Sequence, residues 1–160
     1  MILRQKIRTC LWFDHEAEEA ANFYISLFPG SRILDVARHG DAGPGRSGSV
    51  MVVTFELAGA QLLALNGGPH FKFSEAISLF VDCADQAEID SLWERLGVGG
   101  EYSRCGWLKD RFGLSWQIVP SRLPQLLRGP DRAGAKRAME AMLQMSKLDI
   151  SKLEAAYAGY

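Results

Sequence analysis

The sequence contains little cysteine, almost no net charge and no long apolar run. Only three of its 160 residues are cysteines, Cys10, Cys83 and Cys105, and none forms a CxxC pair. This spacing predicts free thiols in a cytoplasmic protein rather than a disulfide framework. A formal net charge of −1 does not favour nucleic acid or an anionic membrane surface as a partner. No apolar run approaches the ~20 residues of a membrane span, and MILRQKIRTC lacks the apolar core of a secretory signal, so we expect no membrane partner.

Histidine and cofactor motifs are also scarce. The three histidines are His15, His39 and His70, and no two of them have the spacing of metal ligands. No Ser-His-Asp arrangement can be assembled with any specificity. The chain has no glycine-rich turn between a strand and a helix, of the kind that binds nucleotide-like cofactors. We therefore predict no cofactor.

One stretch does carry a clear pattern, CGWLKDRFGLSWQIVP at residues 105–120. Two β-rich runs flank a turn that ends at Gly113, which indicates a hairpin because glycine adopts positive φ at little cost. In the second run Ser115, Gln117 and Val119 alternate with larger apolar residues. A period of two places Gln117 on the less apolar face of a sheet.

The chain repeats one series of elements: a strand, a helix and three strands. Asp14 and Asp82, each closing a first strand, are 68 residues apart (82 − 14), and the hairpin glycines Gly59 and Gly113 are 54 apart (113 − 59). Deletion of a loop such as 40–48 would produce this drop in spacing. The pattern predicts an α+β fold of two βαβββ modules that form a cupped mixed β-sheet cleft, plus C-terminal helices; a single mixed sheet with accidental similarity is the alternative. The predicted segments, within one structural domain, are the modules 1–66 and 76–120, a linking loop 67–75 and a helical extension 121–160.

Strand alternation also predicts which side chains face the cleft. Leu11 and Phe13 should face the first helix, as Leu79 and Val81 should face the second. The opposite faces of these first strands then carry Arg8, Cys10, Trp12, Ala76, Ser78 and Phe80. Small and polar groups mixed with aromatic rings suit a small-molecule pocket, although the same small residues could fill a tight interior.

Several segments together resemble a known family: CLWFDHEAEEAANFY, SLFPGSRI, LALNGGPHFKFSEAIS, CGWLKDRFGLSWQIVP and AMLQM. They are similar to the PhnB-like branch of the vicinal-oxygen-chelate superfamily, which includes glyoxalases, bleomycin-resistance proteins and dihydroxybiphenyl dioxygenases. The resemblance covers nearly the whole chain and implies paired βαβββ modules and a homodimer. Some members carry the label 3-demethylubiquinone 3-methyltransferase.

The resemblance also implies where a metal would be bound in the superfamily's metalloenzymes. Those enzymes place His or Glu ligands on the cleft faces of the first and last strands of each module. In this chain the positions fall at or near Arg8, Leu63, Ala76 and Gln117, and none of these is a carboxylate or an imidazole. Divalent metals in proteins are bound by His, Asp, Glu or thiolate, so we predict no catalytic metal there, with Cys10 a lone alternative ligand if the register shifts.

Other candidates lie in loops and on aromatic walls. His70, in the Gly67–Gly68–Pro69 loop, is a candidate substrate contact or an exposed loop histidine. Asn66 could hold a polar ligand or be solvated, and Phe71 and Trp107 are cavity walls or core. The predicted ligand-binding residues are therefore Cys10, Trp12, Asn66, His70, Phe71, Ser78, Phe80, Trp107 and Gln117, with no catalytic residue assigned.

The C-terminal part predicts a helix after Pro130–Asp131, with an apolar stripe that includes Ala138, Met139 and Leu143. The stripe either packs on its own sheet or contacts a second subunit, and the dimer role is the favoured interpretation. The most direct functional hypothesis is a protein that binds a small organic molecule in a metal-free cleft. An enzyme that uses non-metal residues, a metal-dependent lyase, isomerase or dioxygenase, and the labelled methyltransferase remain the alternatives.

Overall fold

The computed structural model describes residues 5–160, which divide into two compact units, 5–72 and 73–160. The first four residues of the predicted module 1–66 lie outside the described range. The elements of the first unit are β1 (Thr9–Phe13), α1 (Ala17–Leu27), β2 (Arg32–Arg38), β3 (Val50–Leu57) and β4 (Ala60–Asn66). Those of the second unit are β5 (Ser78–Cys83), α2 (Gln86–Gly97), β6 (Glu101–Tyr102), β7 (Trp107–Lys109), β8 (Ser115–Pro120), α3 (Leu123–Leu127), α4 (Arg132–Leu143) and α5 (Ile150–Ala158).

The first unit is a four-stranded mixed sheet covered on one face by α1. The strand order is β1-β4-β3-β2, with β1 and β4 parallel and the other neighbours antiparallel. The helix turns a row of small residues and Tyr24 toward the sheet, and all of these are fully buried. Alternate strand residues such as Leu11, Val53 and Phe55 complete this core. The opposite face of the sheet, which we call its open face, is not covered by α1 and carries the exposed Cys10 and the half-buried Trp12.

The second unit repeats this architecture in the order β5-β8-β7-β6, again with one parallel pair, β5 and β8. Its helix α2 is capped by Asp85, whose side chain accepts a 2.9 Å hydrogen bond from the amide of Glu88. Trp116 and Ile118 of β8 are buried on the helix side, as the alternation predicts. The predicted α+β class and the two similar modules are therefore confirmed.

The predicted register of the repeat is partly wrong. Strand pairing matches Phe13 with Asn66 in the first unit and Cys83 with Pro120 in the second. The last strands are indeed 54 residues apart (120 − 66), but the first strands are 70 apart (83 − 13) and not 68. A slip of two residues keeps every side chain on its predicted face. Arg8 and Ala76, which were expected in the first strands, lie outside them, because β1 begins at Thr9 and β5 at Ser78.

An aspartate that closes a strand just before an acidic helix start, as Asp14 does, predicts an N-cap for the first helix, but the helix begins differently. Asp14 does not cap α1, which begins at Ala17 after Glu16 and has no cap from its own flanking residues. Instead the side-chain oxygen of Asn66, at the end of β4, accepts a 2.8 Å hydrogen bond from the amide of Ala17. The orphan donor of the first turn is thus satisfied from a distant strand.

The C-terminal helices belong to the second unit and cover one end of its open face. Val119 of β8 packs in a cluster with Leu126, Ala138, Leu148 and Leu153. The amide of Cys105 also donates a 2.9 Å hydrogen bond to the carbonyl of Met145. Within the predicted stripe, Ala138 is buried in this cluster, whereas Met139 and Leu143 are exposed. Part of the stripe therefore packs on its own sheet.

Among the residues that the structure describes, none of the helices has both the length and the apolar character needed to cross a membrane.

Candidate functional site

The open face of the second sheet brings four predicted residues together. Gln117 on β8 lies between Phe80 on β5 and Trp107 on β7, its partners in the two ladders. The amide nitrogen of Gln117 donates a 3.0 Å hydrogen bond to the hydroxyl of Ser78. Phe80 is 55% exposed and Trp107 is half-buried. This face therefore combines a polar pair with two aromatic side chains.

A cavity of about 400 Å³ adjoins this face within the second unit. Its lining residues are Glu75, Glu101, Tyr102, Ser103, Arg104, Cys105, Trp107, Leu108, Lys109 and Ser115. Trp107 belongs to the predicted ligand-binding set, but Ser115, Lys109 and Glu75 do not. Strand alternation places Ser115 on the same face as Gln117, so the sequence did contain a signal for Ser115. Nothing in the sequence predicts the pairing of Lys109 with Glu75.

Charged side chains at the cavity are paired but solvent-accessible. The amine of Lys109 forms an ion pair with the carboxylate of Glu75 and lies 3.9 Å from that of Glu101. The hydrogen bond between Lys109 and Glu75 lowers the pKa of the Glu75 carboxyl and raises the pKa of the Lys109 amine. The Glu75 side chain is 61% exposed, and exposed pairs contribute only about 0–1 kcal/mol. This ion pair can therefore open at little cost.

Ser115 is the unusual polar group of the cavity. It is 1% exposed, and its hydroxyl has no hydrogen-bond partner among residues 5–160. Its ladder partners are Ser78 on one side and Lys109 on the other. A buried hydroxyl without a partner is costly, and such groups in folded proteins call for an explanation.

In the first unit, Trp12 and Phe71 support a loop. The indole nitrogen of Trp12 donates a 3.0 Å hydrogen bond to the carbonyl of Gly68, and its ring meets Phe71 edge-on with centroids 4.9 Å apart. A Cβ on Gly67 would lie 2.2 Å from the Trp12 ring, so only glycine fits. His70 is exposed in the same loop. These three predicted residues are brought together, and Trp12 shapes the backbone around them.

Asn66 has a structural task in addition to any ligand contact. Besides capping α1, its side-chain nitrogen donates a 3.2 Å hydrogen bond to the carbonyl of Val50. Asn66 also lines a cavity of about 370 Å³ with Asp14, His15, Glu18, His39, Ser49 and Val50. Because both ends of its amide are engaged, Asn66 is fixed in position, with one N–H and one oxygen lone pair left over for a ligand.

The strand positions that the superfamily uses for metal do not fit a divalent ion here. After the register correction, Leu63 has Cys10 as its ladder partner and Gln117 has Phe80. Neither pair offers an imidazole or a carboxylate, and Cys10 adds only one thiol, whose pKa is raised by partial burial. Within residues 5–160 no three His, Cys, Asp or Glu side chains are grouped to hold a metal. The absence of a bound metal in the protein stays a prediction.

Cys83 provides a test of burial by pH. Its environment raises the pKa of its thiol from 9.0 to about 12, chiefly through burial and then through Glu88. Because the folded state disfavours the thiolate, this contribution to stability is complete below pH 9 and is lost as the pH rises toward 12. We expect the free energy of unfolding to fall by at most about 1.4 kcal/mol per pH unit above pH 9 from this group.

Urea unfolding of the wild type and of Cys83→Ala at about pH 8 and about pH 10.5 measures this effect. Lysine and tyrosine titrate in both proteins. A larger fall in the free energy of unfolding between the two pH values in the wild type than in Cys83→Ala is therefore due to Cys83. An equal fall in the free energy of unfolding in the two proteins would show that the thiol is not buried as described.

Solved structures define the class of fold. The FosX fosfomycin resistance protein from Listeria monocytogenes, complexed with manganese(II) and a sulfate ion, is 12% identical to this chain, with a TM-score of 0.52 over 80% of this chain and 98% of that one. A protein from Pseudomonas aeruginosa is 21% identical, with a TM-score of 0.59 over 71% and 95% of the two chains. At these identities the similarity shows the fold alone, which this chain shares with these two proteins.

Sequence similarity then defines the family. A PhnB protein from Bacillus cereus is 38% identical, with a TM-score of 0.67 over 72% of this chain and 99% of that one. The model of the family described as 3-demethylubiquinone-9 3-methyltransferase matches residues 5–119. The chain belongs to this PhnB-like family, which confirms the resemblance found in the sequence. None of the curated proteins matches the sequence.

Proposed function

We propose that the protein binds a small organic molecule in the cavity on the open face of its second sheet, without a divalent metal. The observation that carries this proposal is the cavity itself, about 400 Å³ in volume, with Trp107, Ser115 and Lys109 in its lining. Ligand pockets have volumes of about 300–1,000 Å³ and combine apolar walls with a few polar groups. Gln117 and Ser78 extend the polar part of this face.

Binding is favoured over turnover for a chemical reason. Methyl transfer, which the family description names, requires a bound methyl donor. None of the three turns from strand to helix among residues 5–160, which are 14–16, 84–85 and 121–122, contains the glycines that bind nucleotide-like groups. An enzyme of the lyase, isomerase or dioxygenase type is the alternative proposal. If such an enzyme used a divalent metal, its metal ligands would have to be residues other than Cys10, Leu63, Phe80 and Gln117.

Gln117→Leu tests the assignment of this face. We expect the folded structure to persist, because Gln117 is half-buried, and the affinity for ligand to fall about three- to tenfold with the loss of one hydrogen-bonding group. A panel of small aromatic and aliphatic molecules, screened by ligand-detected NMR and quantified by calorimetry, provides the measurement. Gln125→Leu, on the exposed surface of α3, is the matched control.

Two outcomes would count against this assignment. Equal affinities for the wild type and Gln117→Leu would remove Gln117 from the site. Loss of cooperative unfolding in Gln117→Leu would place its hydrogen bond to Ser78 in the structural core rather than in a binding face.

We also propose a cytoplasmic homodimer. Several large apolar side chains are exposed in a single chain: Ile7, Phe71, Ile77, Phe80, Val98, Met139 and Leu143. A second copy that covers some of them would remove apolar surface from water. The exposed part of the α4 stripe, Met139 and Leu143, is the proposed contribution of the C-terminal helices to that contact.

A further inference from the structure

Ser115 carries an inference about the chemistry of the ligand. Its hydroxyl is buried beside the cavity without a partner among the described residues. A serine hydroxyl can donate one hydrogen bond and accept others. Because Ser115 is only 1% exposed, a ligand can reach it only when a neighbouring side chain moves. The neighbour across the ladder is Lys109.

The position of the Lys109 side chain depends on Glu75, which lies outside both β7, the strand of Lys109, and β8, the strand of Ser115. Glu75 lies in the segment before β5, is 61% exposed and places its carboxylate on the amine of Lys109. An exposed ion pair of this kind is weak, so another carboxylate can replace it. When Glu75 leaves, the remaining charged groups of the lining are Lys109, Arg104 and Glu101, with a net positive charge.

We propose that the ligand of this cavity is a small aromatic organic acid whose carboxylate replaces Glu75 on Lys109 and accepts a hydrogen bond from Ser115. The apolar body of the acid lies along the indole of Trp107. Glu75 is then a tethered competitor that occupies the anion position until a ligand arrives. This inference rests on the proposed function, since it names the class of molecule that the same cavity binds.

The experiment compares benzoate with its uncharged analogue benzamide, by calorimetry, on the wild type and three variants. Glu75→Gln removes the competitor, and we expect it to raise the affinity for benzoate by up to about fivefold. Ser115→Ala should lower that affinity about tenfold or more, because hydrogen bonds to charged groups are strong. Lys109→Met should abolish measurable benzoate binding. Benzamide should bind more weakly than benzoate to the wild type.

A second readout separates a binding role of Ser115 from a structural one. Since the hydroxyl has no partner among residues 5–160, Ser115→Ala should leave the melting temperature unchanged or raise it. Ser121→Ala, at an exposed position after β8, is the matched control for both measurements. A lower melting temperature for Ser115→Ala alone would assign the hydroxyl to the fold and overturn the inference.

The outcomes also separate this inference from the proposed function. If benzoate and benzamide bind equally and Glu75→Gln has no effect, the cavity binds small molecules but does not select a carboxylate, and the inference is overturned. If neither compound binds and the screened panel also gives no ligand, both the inference and the proposed function are overturned.

Discussion

Asp110→Ala is expected to lower the free energy of unfolding of the second unit by about 3 kcal/mol or more. The Asp110 carboxylate is 2% exposed and accepts hydrogen bonds from the amides of Phe112 and Leu114 and from the indole nitrogen of Trp116, at 2.9, 3.1 and 2.9 Å. Alanine would leave these donors without this acceptor in the core and would release the turn that ends at Gly113. Chemical denaturation followed by tryptophan fluorescence gives the measurement.

Two further variants test this explanation. Asp110→Asn keeps one acceptor oxygen, so it should cost less than alanine. Trp116→Phe removes one donor, so combining it with Asp110→Ala should cost less than the sum of the two single changes. Asp82→Ala, at an exposed position in β5, should change stability by about 0.5 kcal/mol or less. If the effects of Asp110→Ala and Trp116→Phe on the free energy of unfolding were strictly additive, the role given to the hydrogen bond between Asp110 and Trp116 would be refuted.

Leu148→Ala should destabilise the second unit by about 2–5 kcal/mol. Leu148 is completely buried between the C-terminal helices and Val119 of β8, so truncation removes apolar contacts and leaves a cavity. Leu143→Ala is the matched control: Leu143 is 49% exposed on α4, and its truncation should cost far less. Similar losses for the two variants would mean that the helices are not packed on their own sheet.

This packing also decides how the dimer must be tested. Deletion of residues 130–160 would expose Val119 and remove the hydrogen bond from Cys105 to Met145. It would therefore destabilise the second unit and could not report on dimerisation alone. Leu143→Lys instead changes only exposed surface. In sedimentation velocity we expect this variant to dissociate at concentrations at which the wild type is dimeric, while both still unfold cooperatively; the loss of the partner should lower the melting temperature of the variant. A monomeric wild type would overturn the dimer proposal.

Local sequence patterns predicted most of the fold. Alternation in 114–119 placed Trp116 and Ile118 on one face and Ser115 and Gln117 on the other, as the structure has them. The predicted spacing of 54 residues between the two hairpins was correct, because β4 and β8, the last strands of the two units, follow their hairpin turns without an insertion in either. The spacing of the first strands was wrong by two residues, since the ends of those strands had been placed at Asp14 and Asp82 rather than at Phe13 and Cys83.

The site was predictable only in part. Strand periodicity assigned Gln117, Ser78 and Phe80 to one face, and the structure places them there beside Trp107, which the sequence left open as cavity wall or core. Their contact with a ligand stays a prediction. Ser115 lies on that face too, but its missing hydrogen-bond partner is a property of the packed structure. Asn66 was predicted as a possible ligand contact, and its role as a cap for α1 depends on where β4 ends relative to the helix.

The sequence by itself determined the two βαβββ units, the faces of their strands and the start of a helix after Pro130–Asp131, because these follow from periods and short-range chemistry within a few residues. Only the tertiary structure decided that Asn66 caps a helix 49 residues away, that Glu75 holds Lys109, and that the C-terminal helices close over Val119. Such contacts join segments that are distant in the chain. Their partners are chosen by the docking of whole elements, which a local pattern does not encode.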